Sequence, residues 1–212
     1  MDRGGFKPEL VAWSRIAAAR YPDDPLPWLR LATMLREQDS TEGLAAIRHF
    51  RALAPGQLIG AALYANYLLG LAQYDSSLAL AGEAADDSTL WAYAWPVYLQ
   101  VGAHEFQARD FARAALTLDE GRGYAPATRH AQFSLFLGYA NAQRLGPMYA
   151  DAAQKKDCGE AHVVDSLETS VQRDLQEGKA VGDSVRINQI LSTVLTQART
   201  RINEMLAHCP KP

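Results

Sequence analysis

Short helical segments separated by Pro-, Gly- and Asp-containing breaks run along most of this chain, and they restrict its fold more than any other feature. Apolar and small residues recur at a helical spacing of about 3.6, whereas the alternation and tight turns typical of β-hairpins are missing. The predicted helices cover residues 10–19, 28–35, 44–53, 61–71, 78–85, 91–106, 111–118, 133–142 and 148–153. Breaks are predicted at Pro22–Pro25, Pro55-Gly56, Gly121–Pro126 and Gly146-Pro147, among others. The chain is therefore expected to be all-α.

The helical segments also repeat. Units start at residues 25, 58, 95 and 131, which are 33, 37 and 36 residues apart. Their first helices contain Trp28, Leu31, Ala32 and Leu35; Ala61, Tyr64, Ala65 and Leu68; Tyr98, Val101 and Gly102; and Ser134, Leu137, Gly138 and Asn141. Their second helices contain Gly43, Ile47 and Phe50; Ser77, Ala81 and Ala84; Phe111, Ala114, Leu118 and Gly121; and Ala150. Small side chains at these positions let two helices approach closely, and large side chains fill the space between them.

This pattern resembles the tetratricopeptide repeat family, whose period is about 34 residues, over roughly residues 8–155. The resemblance implies an all-α fold, an α-solenoid of stacked antiparallel helix pairs. Leu10–Tyr21 looks like the second helix of a preceding unit, and Phe50 is larger than the family prefers at its position.

The chain beyond residue 157 has a different pattern. Two apolar stripes predict two amphipathic helices: Val164, Leu167, Val171 and Leu175, then Ile187, Ile190, Leu191, Val194, Ala198, Ile202 and Met205. We expect residues 1–157 to form the repeat array and residues 158–212 a helical hairpin that caps it, because a terminal repeat otherwise exposes apolar surface. The alternative use of the last helix is homodimerisation.

The two cysteines, Cys158 and Cys209, flank this hairpin and come to the same end if it is antiparallel. A disulfide is geometrically feasible, and two reduced thiols are an equal alternative. The first residues, Met1–Gly5, lack the apolar region of a secretory signal, so the chain as given is expected in the cytoplasm. If a signal was removed and the cysteines are oxidised, the location is the periplasm.

Charge and composition exclude several classes of function. The net charge is −3 and the basic residues are dispersed, so nucleic acid is not expected as a partner. The most apolar windows, such as Leu58–Ala72, are too short for a membrane span. Arginine greatly outnumbers lysine, which is typical of a GC-rich bacterial genome.

No residue pattern predicts catalysis, a metal or a cofactor. His104-Glu105 begins a zincin-like motif, but Ala108 stands where the second histidine is required, so a surface pair is expected. Gly121-Arg122-Gly123 lacks the preceding strand of a dinucleotide-binding loop and is predicted to be an inter-repeat loop.

The resemblance places the recognition surface on the first helix of each pair, in a concave groove. The groove residues it implies are Arg30, Thr33, Arg36, Asn66, Gln100, Phe106, Phe136, Tyr139 and Gln143. The main hypothesis is a non-enzymatic scaffold or adaptor that binds a protein or peptide there. The alternatives are a regulatory or substrate-holding module of a larger enzyme or secretion complex and, with less support, a small-ligand binder.

Overall fold

The computed structural model describes residues 8–36 and 40–209, and all secondary structure within these ranges is helical. The helices are α1 (Pro8–Arg20), α2 (Pro25–Leu35), α3 (Ser40–Leu53), α4 (Leu58–Gly70), α5 (Tyr74–Ala85), α6 (Trp91–Gln107), α7 (Phe111–Tyr124), α8 (Ala127–Lys155), α9 (Cys158–Gly178), α10 (Ser184–Gln189) and α11 (Leu195–Leu206). A single π-helical stretch, Ile190–Val194, joins α10 to α11. The described helices include none with the length and apolar character that crossing a bilayer requires. The N-terminal segment used to predict the location lies outside the described residues.

The chain forms two compact units, with the boundary between Val97 and Tyr98. In the first unit, α1 packs against α2, and the pairs α2/α3 and α4/α5 follow in chain order, with α3 against α4. Asp24 begins α2 by accepting a hydrogen bond from the Leu26 backbone nitrogen at 3.0 Å, and Pro25 occupies the first turn, where a missing N–H costs nothing.

Small residues lie where the helices of the first unit approach one another. Ala32, Ala65, Ala81 and Ala84 are all fully buried. The unusually large Phe50 is also fully buried, and its space is provided by Gly60 on the next helix. A β-carbon added to Gly60 would lie 2.8 Å from the Phe50 Cε1 atom. Phe50 is therefore accommodated by a compensating glycine in the following pair.

The second unit contains the remainder of α6 and the helices α7 to α11. Gly102 contacts Leu118, which brings α6 against α7, and α7 packs against α8. Gly121 contacts both Tyr98 and Phe133. The prediction of a loop at Gly121-Arg122-Gly123 is wrong, since these residues form the end of α7. Gly121 leaves space for the Tyr98 side chain and does not break the helix.

The predicted break at Gly146-Pro147 is also wrong, since α8 continues through it to Lys155. Proline inside a helix costs about 3 kcal/mol. The packing of α8 along α9 outweighs this cost, and Leu145 and Ala152, on either side of the proline, are both buried. The helix ends at Lys155; the next residue, Lys156, has a φ of 54°, and Asp157 then caps α9.

The predicted C-terminal hairpin is present. Helix α11 packs against α9 and, less extensively, against α8. The hairpin buries Val164, Val171, Leu175, Ile187, Leu195 and Ile202. Cys158 and Cys209 lie at the same end of it and form a disulfide, with their Cα atoms 5.6 Å apart.

These helices confirm the predicted fold class, an all-α fold of consecutive helix pairs with a C-terminal hairpin. Because α8 pairs with α9, the first helix of the hairpin is also the second helix of the last pair. The boundary at residues 157/158 between array and cap stays a prediction.

Candidate functional site

The nine residues predicted to bind a partner are divided between the two units. Arg30 and Thr33 are exposed on α2, and Arg36, which follows its last residue, is also exposed. The Thr33 hydroxyl donates a hydrogen bond to the Leu29 carbonyl oxygen at 2.8 Å. Asn66, on α4, is half-buried, and its Nδ2 atom donates to the carbonyl oxygens of Ala62 at 2.8 Å and Tyr93 at 3.2 Å. Asn66 therefore links α4 to the start of α6 and uses its two N–H donors within the chain.

Arg30 also lines a cleft of about 490 Å³ between α1 and α2. Its walls include Leu10, Trp13, Leu26 and Met34. Trp13 is 67% exposed and Leu26 is 55% exposed. This cleft was not predicted from the sequence, although one signal points to it: Trp13 is not on the face of α1 that buries Val11 and Ala18.

Three of the predicted residues in the second unit form a cluster that we call the aromatic strip: Phe106, Phe136 and Tyr139. The centroid of the Phe106 ring lies 6.3 Å from that of Phe136 and 6.4 Å from that of Tyr139. Phe106 is on α6, and the other two are on α8. Aromatic side chains from α6 and α8 therefore lie together.

The aromatic strip is half-buried, so its rings present part of their surface to solvent. Phe111 packs against the strip, with its ring centroid 5.5 Å from that of Phe106. The Arg186 guanidinium lies 5.6 Å from the Tyr139 ring centroid, a cation–π arrangement that the sequence analysis did not predict. Arg186 could not be assigned to this surface from the sequence because α10 reaches Tyr139 only through the folding of the hairpin.

Two exposed glutamines lie on the same helices as the aromatic strip. Gln143 lies on α8 one turn after Tyr139, and Gln100 lies on α6 nearly two turns before Phe106. An amide side chain both donates and accepts hydrogen bonds, so it can pair with the backbone of an incoming chain. The strip and Gln143 together offer apolar contact area with a polar edge, as many recognition surfaces do.

Glu105 was predicted to lie at the surface, and this prediction is wrong. It is 6% exposed, and its Oε1 atom lies 2.6 Å from the Nε atom of Arg113 on the next helix. His104 is exposed as expected. Glu105 thus joins α6 to α7. The sequence around His104-Glu105 could not predict this, because Arg113 lies on another helix. Among the described residues, no three His, Cys, Asp or Glu side chains are grouped as a metal site requires.

No family model matches the chain, and no curated protein matches its sequence. Among solved structures, it is similar to YrrB, described as a tetratricopeptide repeat protein with an unusual peptide-binding site. That similarity has a TM-score of 0.49 at 10% sequence identity and covers 92% of this chain and 93% of YrrB.

Proposed function

We propose that this protein is a non-enzymatic scaffold that binds a segment of a partner protein through the aromatic strip in its second unit. The observation that carries the proposal is the meeting of Phe106, Phe136 and Tyr139 on two consecutive first helices. Side chains of this type are the ones enriched at binding surfaces, because a rigid ring gives a large contact area at a low cost in conformational entropy.

The neighbouring side chains favour a peptide over a purely apolar ligand. Gln143 is exposed beside the strip and can pair with backbone N–H and carbonyl groups. Arg186, over the Tyr139 ring, adds a cation at one edge. A short segment with one or two large apolar residues and an acidic residue beside them has the complementary chemistry.

The proposal predicts that the protein selects peptides from a random library displayed on phage. Enriched sequences should carry a large apolar residue next to an acidic one. Synthetic peptides of these sequences are then titrated against the wild type and against Phe136→Ala by fluorescence anisotropy. Removal of the ring should lower affinity by about tenfold, the range of a moderate hot-spot residue.

Leu116→Ala is the matched control, because Leu116 is an apolar residue on α7 that is 72% exposed and lies outside the strip. Gln143→Arg is a second test variant, since this exposed position can change without disturbing the core. Thermal unfolding of each variant separates lost binding from lost folding. A library that yields no consensus, or peptides that bind Phe136→Ala and Gln143→Arg as tightly as the wild type, would show that the strip is not the site.

A further inference from the structure

A second concave site lies in the same unit, between helices other than α6. It is a cleft of about 400 Å³ between α7, α8 and α9, which we call the arginine cleft. Leu137, Asn141 and Arg144 lie along one face of α8, and Leu167 and Ser170 lie along the facing side of α9. Asp174 lines the cleft one turn further along α9. The site therefore has apolar walls and a set of polar groups.

Two of the three arginines in the cleft are already neutralised. The Arg122 Nη1 atom lies 3.0 Å from the Asp174 Oδ1 atom, and its Nη2 atom lies 2.7 Å from the Asp119 Oδ1 atom. Arg173 donates to the same Asp174 oxygen at 3.1 Å. Asp174 is almost fully buried, and the carboxylate thus holds both guanidinium groups at one end of the cleft.

Arg144 is different. The hydrogen bond that the structure records for it joins its Nη1 atom to the Oδ1 atom of its neighbour Asn141 at 2.8 Å, and it has no carboxylate partner among the described residues. Its side chain is half-buried. A guanidinium carries five N–H donors in a fixed fork that matches a carboxylate. The Ser170 hydroxyl, on the facing helix, also has no hydrogen-bond partner within the described part of the chain.

We propose that the arginine cleft binds a small monocarboxylate. Its carboxylate group accepts hydrogen bonds from Arg144 and Ser170, and its short apolar body lies against Leu116 and Leu167. The charges of the lining favour one negative charge over two: Arg144 provides one uncompensated cation, whereas the charges of Arg122 and Arg173 are balanced by Asp119 and Asp174. Phosphate, which carries more than one negative charge at neutral pH, is disfavoured for this reason.

The test is a titration of the ¹⁵N-labelled protein with hexanoate and phenylacetate, followed by amide chemical shifts. Shifts confined to residues around 115–122, 137–144 and 167–174 are expected. The uncharged amides of the same two acids and inorganic phosphate are the comparison probes, and neither should produce these shifts at the same concentrations. Arg144→Gln should weaken binding by about tenfold, the effect of losing one charge-assisted pair.

Further variants make the result specific. Arg144→Lys keeps the charge but loses the fork, so its affinity should lie between those of the wild type and Arg144→Gln. Asp119→Asn should tighten binding by about threefold, because Arg122 then keeps only its Asp174 partner and the lining gains net positive charge. Arg201→Gln on α11 is the matched control, since it makes the same change at an exposed arginine outside the cleft.

Each contrary result would overturn the proposal. These results are the absence of shifts with both acids, equal shifts with acids and amides, tighter binding of phosphate, and unchanged affinity in Arg144→Gln. The test is independent of the aromatic strip, so binding in the cleft can fail while peptide binding succeeds.

Discussion

Gly138 on α8 lies so close to Leu175 on α9 that a β-carbon on the glycine would fall 2.8 Å from the Leu175 Cδ2 atom and 3.1 Å from its backbone nitrogen. The side-chain atom could move, but the backbone nitrogen belongs to a helix whose neighbouring side chains are buried. The separation of the last helix pair is therefore set by the absence of one side chain.

Gly138→Ala is expected to lower the free energy of unfolding by about 1–3 kcal/mol, because overpacking outweighs the better helix propensity of alanine. Gly123→Ala on α7 is the matched control, since a β-carbon there meets no other atom within 4 Å. This control should be neutral or stabilising by up to about 1 kcal/mol. Urea unfolding of both variants measures the difference, and a Gly138→Ala protein as stable as the control would contradict the packing argument.

The role of Gly138 as a close-approach residue could be predicted from its place in the repeat, but its partner could not. The sequence predicts a break at Gly146-Pro147 and therefore places the second helix of the pair at residues 148–153, within what is in fact α8. Pro147 supplies a local signal for a break, and that signal is normally reliable. It failed because α8 is stabilised by contacts with another helix, such as that of Gly138 with Leu175, which no local pattern reports.

The same limit applies to the candidate sites. The aromatic strip could be predicted because Phe106, Phe136 and Tyr139 occupy repeat positions on successive first helices. Arg144 could not be predicted as a binding residue. Only the fold shows that Arg122 and Arg173 pair with Asp174 and that Arg144 does not. Glu105 was expected at the surface, since only the fold places Arg113 beside it.

The disulfide between Cys158 and Cys209 joins residues 51 positions apart and closes the C-terminal hairpin. In the chain-entropy model, a loop of this length contributes about 4 kcal/mol to the stability of the folded state. Addition of reductant should therefore lower the free energy of unfolding by about that amount. The measurement is denaturant unfolding with and without reductant.

The double variant Cys158→Ser/Cys209→Ser provides the control, because its stability should resemble that of the reduced protein and should not respond to reductant. Two free thiols titrated in the unreduced, denatured protein would rule out the bond. A reductant effect of equal size in the double variant would show that the loss of stability has another origin.

Tyr98 should make the stability of the protein depend on alkaline pH. It is 2% exposed, and its hydroxyl donates a hydrogen bond to the Glu120 Oε1 atom at 2.7 Å. Burial, together with the hydrogen bond and negative charge of Glu120, raises the pKa of the Tyr98 phenol far above its usual range. Above pH about 10 the unfolded chain loses a proton that the folded chain retains, so stability falls as pH rises, by at most about 1.4 kcal/mol per pH unit.

Tyr98→Phe separates this effect from the titration of other groups. At pH 8 the variant should be less stable than the wild type, because it lacks the hydrogen bond to Glu120. Above pH 10 the wild type should lose its advantage as pH increases, since the variant has no phenol at residue 98 to ionise. Tyr21→Phe, at a tyrosine that is 53% exposed, is the control and should not change the alkaline loss of stability. Parallel losses in wild type and Tyr98→Phe between pH 8 and pH 11 would mean that the Tyr98 proton is not held by the fold, and that the contact with Glu120 does not link α6 to α7 in the way described.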